Sequence, residues 1–246
     1  MKNLKNSFGK LKVSESQKTK LVQDLFTNIT TKYDLMNNFM SFGAHHLWKK
    51  KLIDLIYIKS NDSILDVGSG TGDIVNLLNK NYANINITSV DLNLSMLEKG
   101  KQKIKYNENK IRWINCNAES LPFKDDIFDH YIISFCLRNI TLIEKALEEA
   151  LRVLKPGGCF YCLEFSKPRS KPIDNIYKLY KSQIIPLMGK YIAKNENAYK
   201  YLEESISNFP DQKTLSLKLN ELGFDNTSIT NLFNGIVSIH KSFKIS

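Results

Sequence analysis

Only four of the 246 residues are cysteine, at positions 116, 136, 159 and 162, and no regular spacing relates them. Irregular cysteines without a secretory leader point to free thiols in a reducing, cytoplasmic setting rather than to a disulfide framework. Cys159 and Cys162 form a C-x-x-C, but in a predicted strand an offset of three places them on opposite faces, so no metal site is expected. No apolar run approaches the ~20 residues of a transmembrane helix, which leaves a soluble or peripheral protein. Also missing is any short window that concentrates basic residues among aromatics, despite a net charge of +10. That charge suits nucleic acid or an anionic membrane, yet Lys, Asn and Ile are abundant throughout, and compositional bias is the simpler account. With 42% hydrophobic residues the chain can bury one sizeable core, and a single domain is expected.

The most informative segment that is present runs Ile64-Leu65-Asp66-Val67-Gly68-Ser69-Gly70-Thr71-Gly72-Asp73. An apolar strand breaks into alternating glycines and then becomes helical, which lets the main chain turn sharply and approach a ligand. A dinucleotide site would carry its third glycine at position 73, where this chain has Asp. Asp66 and Asp73 flank the turn. They would repel a pyrophosphate and suit a cation such as S-adenosylmethionine. Asp91 ends the next predicted strand, Ile85 to Asp91, and an acid there can accept both ribose hydroxyls on the same side of the sheet.

From residue 63 onward strands alternate with helices, which predicts a doubly wound, mostly parallel α/β sheet of Rossmann-like type. Ile111 to Asn117, Phe128 to Phe135 and Cys159 to Phe165 read as further strands. Thr141 to Leu154 reads as a helix capped by Thr141 and stopped by Lys155-Pro156-Gly157-Gly158. Phe224 to Ile245 reads as an antiparallel hairpin turning at Asn234-Gly235. The organisation expected is a loose tail over about 1–17, a helical cap over 18–60, a cofactor-binding core over 63–166, a helical lid over 167–210, and a closing helix and hairpin over 211–246. Ile176, Tyr177, Tyr180, Ile184, Ile185, Leu187, Met188, Tyr191 and Ile192 give the lid an apolar face, with Lys178, Lys181, Lys190 and Lys194 outside it and a kink at Pro186. Packing, a lid, and a membrane-facing surface all remain open for that face.

Two long signatures carry a resemblance. Tyr33-Asp34-Leu35-Met36-Asn37-Asn38-Phe39-Met40-Ser41, followed by His45 and Trp48, and Arg152-Val153-Leu154-Lys155-Pro156-Gly157-Gly158, continuing to Glu164-Phe165-Ser166, resemble the motifs of the ubiquinone/menaquinone biosynthesis C-methyltransferase family. Asn117-Ala118-Glu119-Ser120-Leu121-Pro122-Phe123, Ile133 to Asn139 and Tyr199 to Ser205 match in order and spacing, from about Phe26 to Phe243. Cys136 departs from the glycine usual in the family, and Asn234 from a small residue or threonine.

The resemblance implies a class I S-adenosylmethionine-dependent methyltransferase that methylates a ring carbon of a polyprenylated quinol. It implies cofactor contacts at Gly68, Gly70, Thr71 and Gly72 in the turn, at Asp91 on the ribose, at Asn117 and Ala118 around the adenine, and at Ser134. For Asn117 a turn-capping role is the alternative. Arg138, following the fourth strand at the crevice edge, is the catalytic candidate: always protonated, it would stabilise the phenolate or orient a water that takes the proton. An ion pair with Glu164 is its structural alternative. His45, beside His46, is the second candidate because histidine titrates in a useful range, although a histidine near Trp48 on a cap helix is more often structural.

Rival enzymes fit less well. Adenine N-methylation calls for an Asp/Asn-Pro-Pro-Tyr loop where this chain has Ser134-Phe135-Cys136-Leu137, and cytosine C5 chemistry needs a Pro-Cys or Thr-Cys nucleophile that no cysteine here supplies. Nucleic acid is therefore not the expected partner. Another small-molecule methyltransferase, or a non-catalytic cofactor-binding scaffold, is the alternative. Peripheral contact with the inner face of the membrane and homo-oligomerisation stay open.

Overall fold

The computed structural model describes residues 7–8, 11–104, 109–180 and 196–245. The β-branched and aromatic runs become the strands β1 (Ser63–Val67), β2 (Asn86–Asp91), β3 (Lys110–Asn115), β4 (Phe128–Ser134), β5 (Leu154–Phe165), β6 (Asp225–Leu232) and β7 (Val237–Phe243). They form one sheet in the order β3-β2-β1-β4-β5-β7-β6. β1 to β5 are mutually parallel, and β7 runs antiparallel to both β5 and β6. This is the doubly wound sheet with a C-terminal hairpin that the sequence predicts. Asn234, with φ 56°, and Gly235, with φ 90°, make the turn.

Helices cover both faces. α1 (Glu15–Ile29), α2 (Tyr33–Ser41) and α3 (Ala44–Asp54) precede the sheet. α4 (Asp73–Asn81), α5 (Leu94–Lys103) and α6 (Ile143–Val153) are its crossovers. α7 (Lys171–Leu179), α8 (Glu196–Asn208) and α9 (Gln212–Glu221) follow β5. One core packs α6 and α9 through Ala146, Leu147, Ala150 and Leu219; the other packs α3 and α4 through Leu52, Ile53, Val75 and Leu78. The strand period of two divides β5 between them, with Phe160 and Cys162 in the first and Cys159 and Leu163 in the second, so the C-x-x-C points both ways as expected.

Three local readings need correction. The tail expected over 1–17 is partly structured: Phe8 stacks on Tyr201, and α1 starts at Glu15 behind a capping box in which Gln17 N–H donates to Ser14 Oγ (3.2 Å) and Ser14 N–H to Gln17 Oε1 (2.9 Å). Lys18 is buried, its Nζ donating to the Ile140 carbonyl at 3.1 Å. The cap of α6 is not Thr141, whose hydroxyl bonds Thr19; Glu119 Oε1 instead accepts from the N–H groups of Thr141 (3.1 Å) and Leu142 (3.0 Å). Glu119→Ala is accordingly expected to lower stability by about 1 to 2 kcal/mol, with Thr141→Ala costing less, as read from urea midpoints. Lys155 to Gly158 lie inside β5 rather than before it, the register shifting between Phe128 and His130 to absorb them. The lid residues Lys181, Ile184, Ile185, Pro186, Leu187, Met188, Lys190, Tyr191, Ile192 and Lys194 fall outside the described residues.

Candidate active site

Strand order reverses between β1 and β4, and the crevice opens beyond their carboxyl ends. Gly68, Gly70 and Gly72 all take left-handed backbone, with φ of 64°, 55° and 78°. A side chain on Gly68 would collide with the Cys136 sulfur, and one on Gly72 would come within 2.9 Å of the Trp113 ring. On Gly70 nothing lies nearer than 3.9 Å, so the main chain there is open to a ligand. Cys136, where the resemblance anticipates glycine, thus tightens the turn at Gly68.

Two adjoining cavities share Gly68, Gly70 and Phe135. The smaller, about 100 Å³, is lined by Asp91, Asn117 and Ala118. The larger, about 670 Å³, runs from Asp66, Thr71 and Ser134 into an apolar chamber walled by Met36 and Met40 of the N-terminal helices and Ile176, Tyr177 and Leu202 of the helices after β5. Every predicted cofactor residue therefore lies on one of two neighbouring walls, except Gly72, which sits behind the turn against Trp113.

Asp91 Oδ2 accepts the Gly70 N–H and Oδ1 the Asn93 N–H, both at 2.8 Å, while burial raises its carboxyl above the ordinary range. Asn117 Oδ1 accepts from Glu119 N–H at 3.0 Å, which is the turn-capping role, and the residue still lines the smaller cavity. Ser134 Oγ is buried without a partner. The Thr71 hydroxyl donates to Asp34 Oδ1 at 2.6 Å and is occupied by the protein itself.

The two flanking acids separate. Asp73 does not offer its charge to a ligand: burial opposes its ionisation, but Lys49 (2.7 Å) and Lys103 (3.1 Å) outweigh it and hold the carboxyl well below the usual range. Lys103 also reaches Asp34 at 2.9 Å, so a chain of charges ties α2, α3, α4 and α5 around the turn. Asp66 is the opposite case, buried with Oδ2 unpartnered, and desolvation pushes it up to about 8.

Arg138 is buried in the wall of the larger cavity. Its Nη1 donates to Glu164 Oε1 at 2.7 Å and to the Phe135 carbonyl at 2.6 Å. Phe135 is itself left-handed at φ 54°, a costly conformation for an aromatic residue. Burial would favour a neutral guanidine, but Glu164 overrides it and keeps Arg138 charged. Both sequence alternatives for Arg138 are therefore realised together, the ion pair and the position at the crevice. Its Nε is buried without a hydrogen-bond partner.

His45 is held within the helical cap. Asn38 Oδ1 lies 2.9 Å from His45 Nε2 and 2.8 Å from His46 Nε2, and since an amide oxygen only accepts, both rings donate from Nε2. Burial, with Lys49 and His46 adding to it, lowers His45 to about 4, so it does not titrate near neutrality. Among the described residues no group of His, Cys, Asp and Glu could hold a metal.

A family model described as the ubiE/COQ5 methyltransferase family matches residues 11–244. The chain belongs to the ubiE/COQ5 methyltransferase family. It is 43% identical to the ubiquinone/menaquinone biosynthesis C-methyltransferase UbiE of Zymomonas mobilis over 98% of this chain and 99% of that one. It is 44% identical to the protein of the same name from Rickettsia bellii, over 97% and 98%. A solved phosphoethanolamine N-methyltransferase 2 of Haemonchus contortus, in complex with phosphomonomethylethanolamine and S-adenosylhomocysteine, shares the fold at a TM-score of 0.63 and 14% identity, covering 92% of this chain and 60% of that one. An S-adenosylmethionine-dependent methyltransferase of Aquifex aeolicus does so at 0.61 and 14%, covering 86% and 97%.

By family and fold this ubiE/COQ5 member is an S-adenosylmethionine-dependent methyltransferase. The open main chain at Gly70 and the unpartnered oxygens of Asp66 and Ser134 fit that cofactor. Asp34, Lys49 and Lys103 were invisible to sequence reasoning as a unit, because their links span 24 to 69 residues.

Proposed function

We propose that the chain methylates a ring carbon of a polyprenylated quinol; its relatives are named as C-methyltransferases of ubiquinone/menaquinone biosynthesis. The observation that carries the reading is the larger cavity, which joins a glycine turn and a buried arginine to an apolar chamber suited to an aromatic ring and an isoprenoid tail. The bound cofactor supplies an electrophilic methyl on sulfur. Asp91 would hold the ribose, Asn117 and Ala118 the adenine, and Asp66 the amino group. Arg138, fixed by Glu164 and the Phe135 carbonyl, would steady the negative charge left on the quinol oxygen when its proton passes to water, so that the ring carbon can take the methyl as neutral S-adenosylhomocysteine departs and then lose its own proton to water. Alignment of carbon, methyl and sulfur in an apolar wall supplies the rest, since orientation alone can be worth effective molarities of ~10⁵ M or more.

Transfer of labelled methyl from S-adenosylmethionine to a quinol extract tests the reading, and labelling of other small molecules but no quinol would overturn it. Asp91→Ala is expected to weaken S-adenosylhomocysteine binding in calorimetry by about 1 to 3 kcal/mol, with NAD failing to compete. Unchanged affinity would remove Asp91 from the site.

Asp66 gives a pH signature. Raised to about 8, it holds a proton at neutral pH that a cationic amino group must expel. Affinity is expected to rise from about pH 6 to about pH 8 and then level off, with Asp66→Asn flattening the slope. The unliganded fold should do the reverse and lose stability over that window, because unfolded Asp66 has already released the proton that the folded chain keeps. A pH-independent affinity would exclude an ion pair at Asp66.

A further inference from the structure

The mouth of the larger cavity is ringed by exposed apolar side chains from separate segments. Phe42 is 81% exposed, Ile176 68%, Leu47 64% and Phe233 58%, and all of them line the cavity. Contacts knit the ring together. Phe42 lies 6.2 Å from the Tyr180 ring, and Phe233 packs edge-on against Trp48 at 5.6 Å. Both phenylalanines occupy left-handed backbone, with φ of 48° and 47°. An aromatic residue held largely exposed at a left-handed turn, where glycine or asparagine would relax, carries a conformational cost.

Beside Phe233 runs Lys167-Pro168-Arg169-Ser170-Lys171, with no acid among its residues and all three cations exposed. It is tied to the hairpin tip: Arg169 N–H donates to the Asn234 carbonyl at 2.9 Å, and Asn234 Nδ2 donates to Ser170 Oγ at 3.1 Å. Lys50 and Lys51 follow Leu47 on α3, both exposed, with Lys50 paired to Asp54 at 3.0 Å.

We infer that this rim is the surface by which the protein docks on an anionic lipid bilayer, its apolar ring dipping among the acyl chains and its cations meeting the headgroups. The inference rests on the quinol reading and deepens it. Apolar side chains ringed by Lys and Arg are the combination that an interfacial anchor needs, and either alone is weak. No helix among the described residues is long and apolar enough to cross a membrane, so a tail-bearing substrate must be met at the surface. Docked this way, the ring headgroup enters between α3 and α7 and reaches Arg138 while the tail leaves through the same apolar mouth into the bilayer.

The test is co-sedimentation of the full chain with vesicles of neutral phosphatidylcholine or of phosphatidylcholine with a third phosphatidylglycerol. Binding is expected on the anionic vesicles and to fall with salt as the charges are screened. The double variant Phe42→Asn, Phe233→Asn, whose new residues tolerate the left-handed turn, should bind roughly tenfold or more weakly, with melting temperature and S-adenosylhomocysteine affinity unchanged. If that variant does not fold, Ile176→Ser serves in its place. No binding by the wild type, or binding that salt abolishes and the apolar substitutions leave untouched, would overturn the inference. Methyl transfer to a short-chain, water-soluble quinol is measured in parallel. Turnover without vesicle binding would overturn docking alone; vesicle binding without quinol turnover would overturn the substrate reading and leave the surface standing.

Discussion

Replacing Arg138 by lysine is expected to lower turnover by about 10²-fold while S-adenosylhomocysteine affinity stays nearly intact. Lysine keeps the positive charge but loses the planar fork. In the native site one nitrogen, Nη1, is committed to Glu164 and to the Phe135 carbonyl, while the residue as a whole lines the larger cavity. An ammonium drawn onto Glu164 would leave nothing to face the quinol oxygen. Turnover, cofactor affinity and melting temperature measured on one preparation separate the roles. Near-normal turnover, or a loss that only follows unfolding, would mean that the arginine braces the Phe135 turn and does nothing for the reaction.

Glu164→Ala is expected to be among the most destabilising single changes in the chain. The pair is deeply buried, with side-chain exposures of 7% for Arg138 and 1% for Glu164. Removing the carboxylate strands a guanidinium in the interior and also deprives the Arg138 and Phe165 N–H groups of their acceptor. Breaking a buried pair from one side typically costs about 3 to 5 kcal/mol. For a chain of this length that corresponds to a fall in melting temperature of roughly 10 °C. The double change Arg138→Met, Glu164→Leu removes both charges and should melt well above Glu164→Ala, though without quinol turnover. If Glu164→Ala melts with the wild type, the pair is not structural.

What could be read from the sequence was what neighbours decide. The glycine turn, the strand ends that carry Asp91 and Ser134, the opposed faces of Cys159 and Cys162 and the Asn234-Gly235 hairpin all follow from local periodicity and turn chemistry. Residues whose partners lie far along the chain were read less well. Thr141 had the right chemistry for a cap, but a carboxylate 22 residues earlier took the position. Asp73 looked like a ligand group because nothing nearby in sequence announces Lys49 and Lys103. His45 was open between acid–base and structural roles, and the burial that keeps it neutral is visible only in the folded cap. Arg138 was open between two roles because position along a strand cannot reveal that Glu164 points at it. Each miss concerns a long-range charge or a degree of desolvation, quantities that no local pattern encodes.

The antiparallel β7 has a bearing on how the molecule is made. It sits between β5 and β6, so the chain's late segment Val237–Phe243 fills an interior slot of the sheet. Until those residues leave the ribosome, Cys159 to Phe165 offers an open and mostly apolar edge to any other strand. Closure of the sheet thus waits on residues 237–243, and a product truncated before residue 237 would expose that edge permanently and be prone to aggregate.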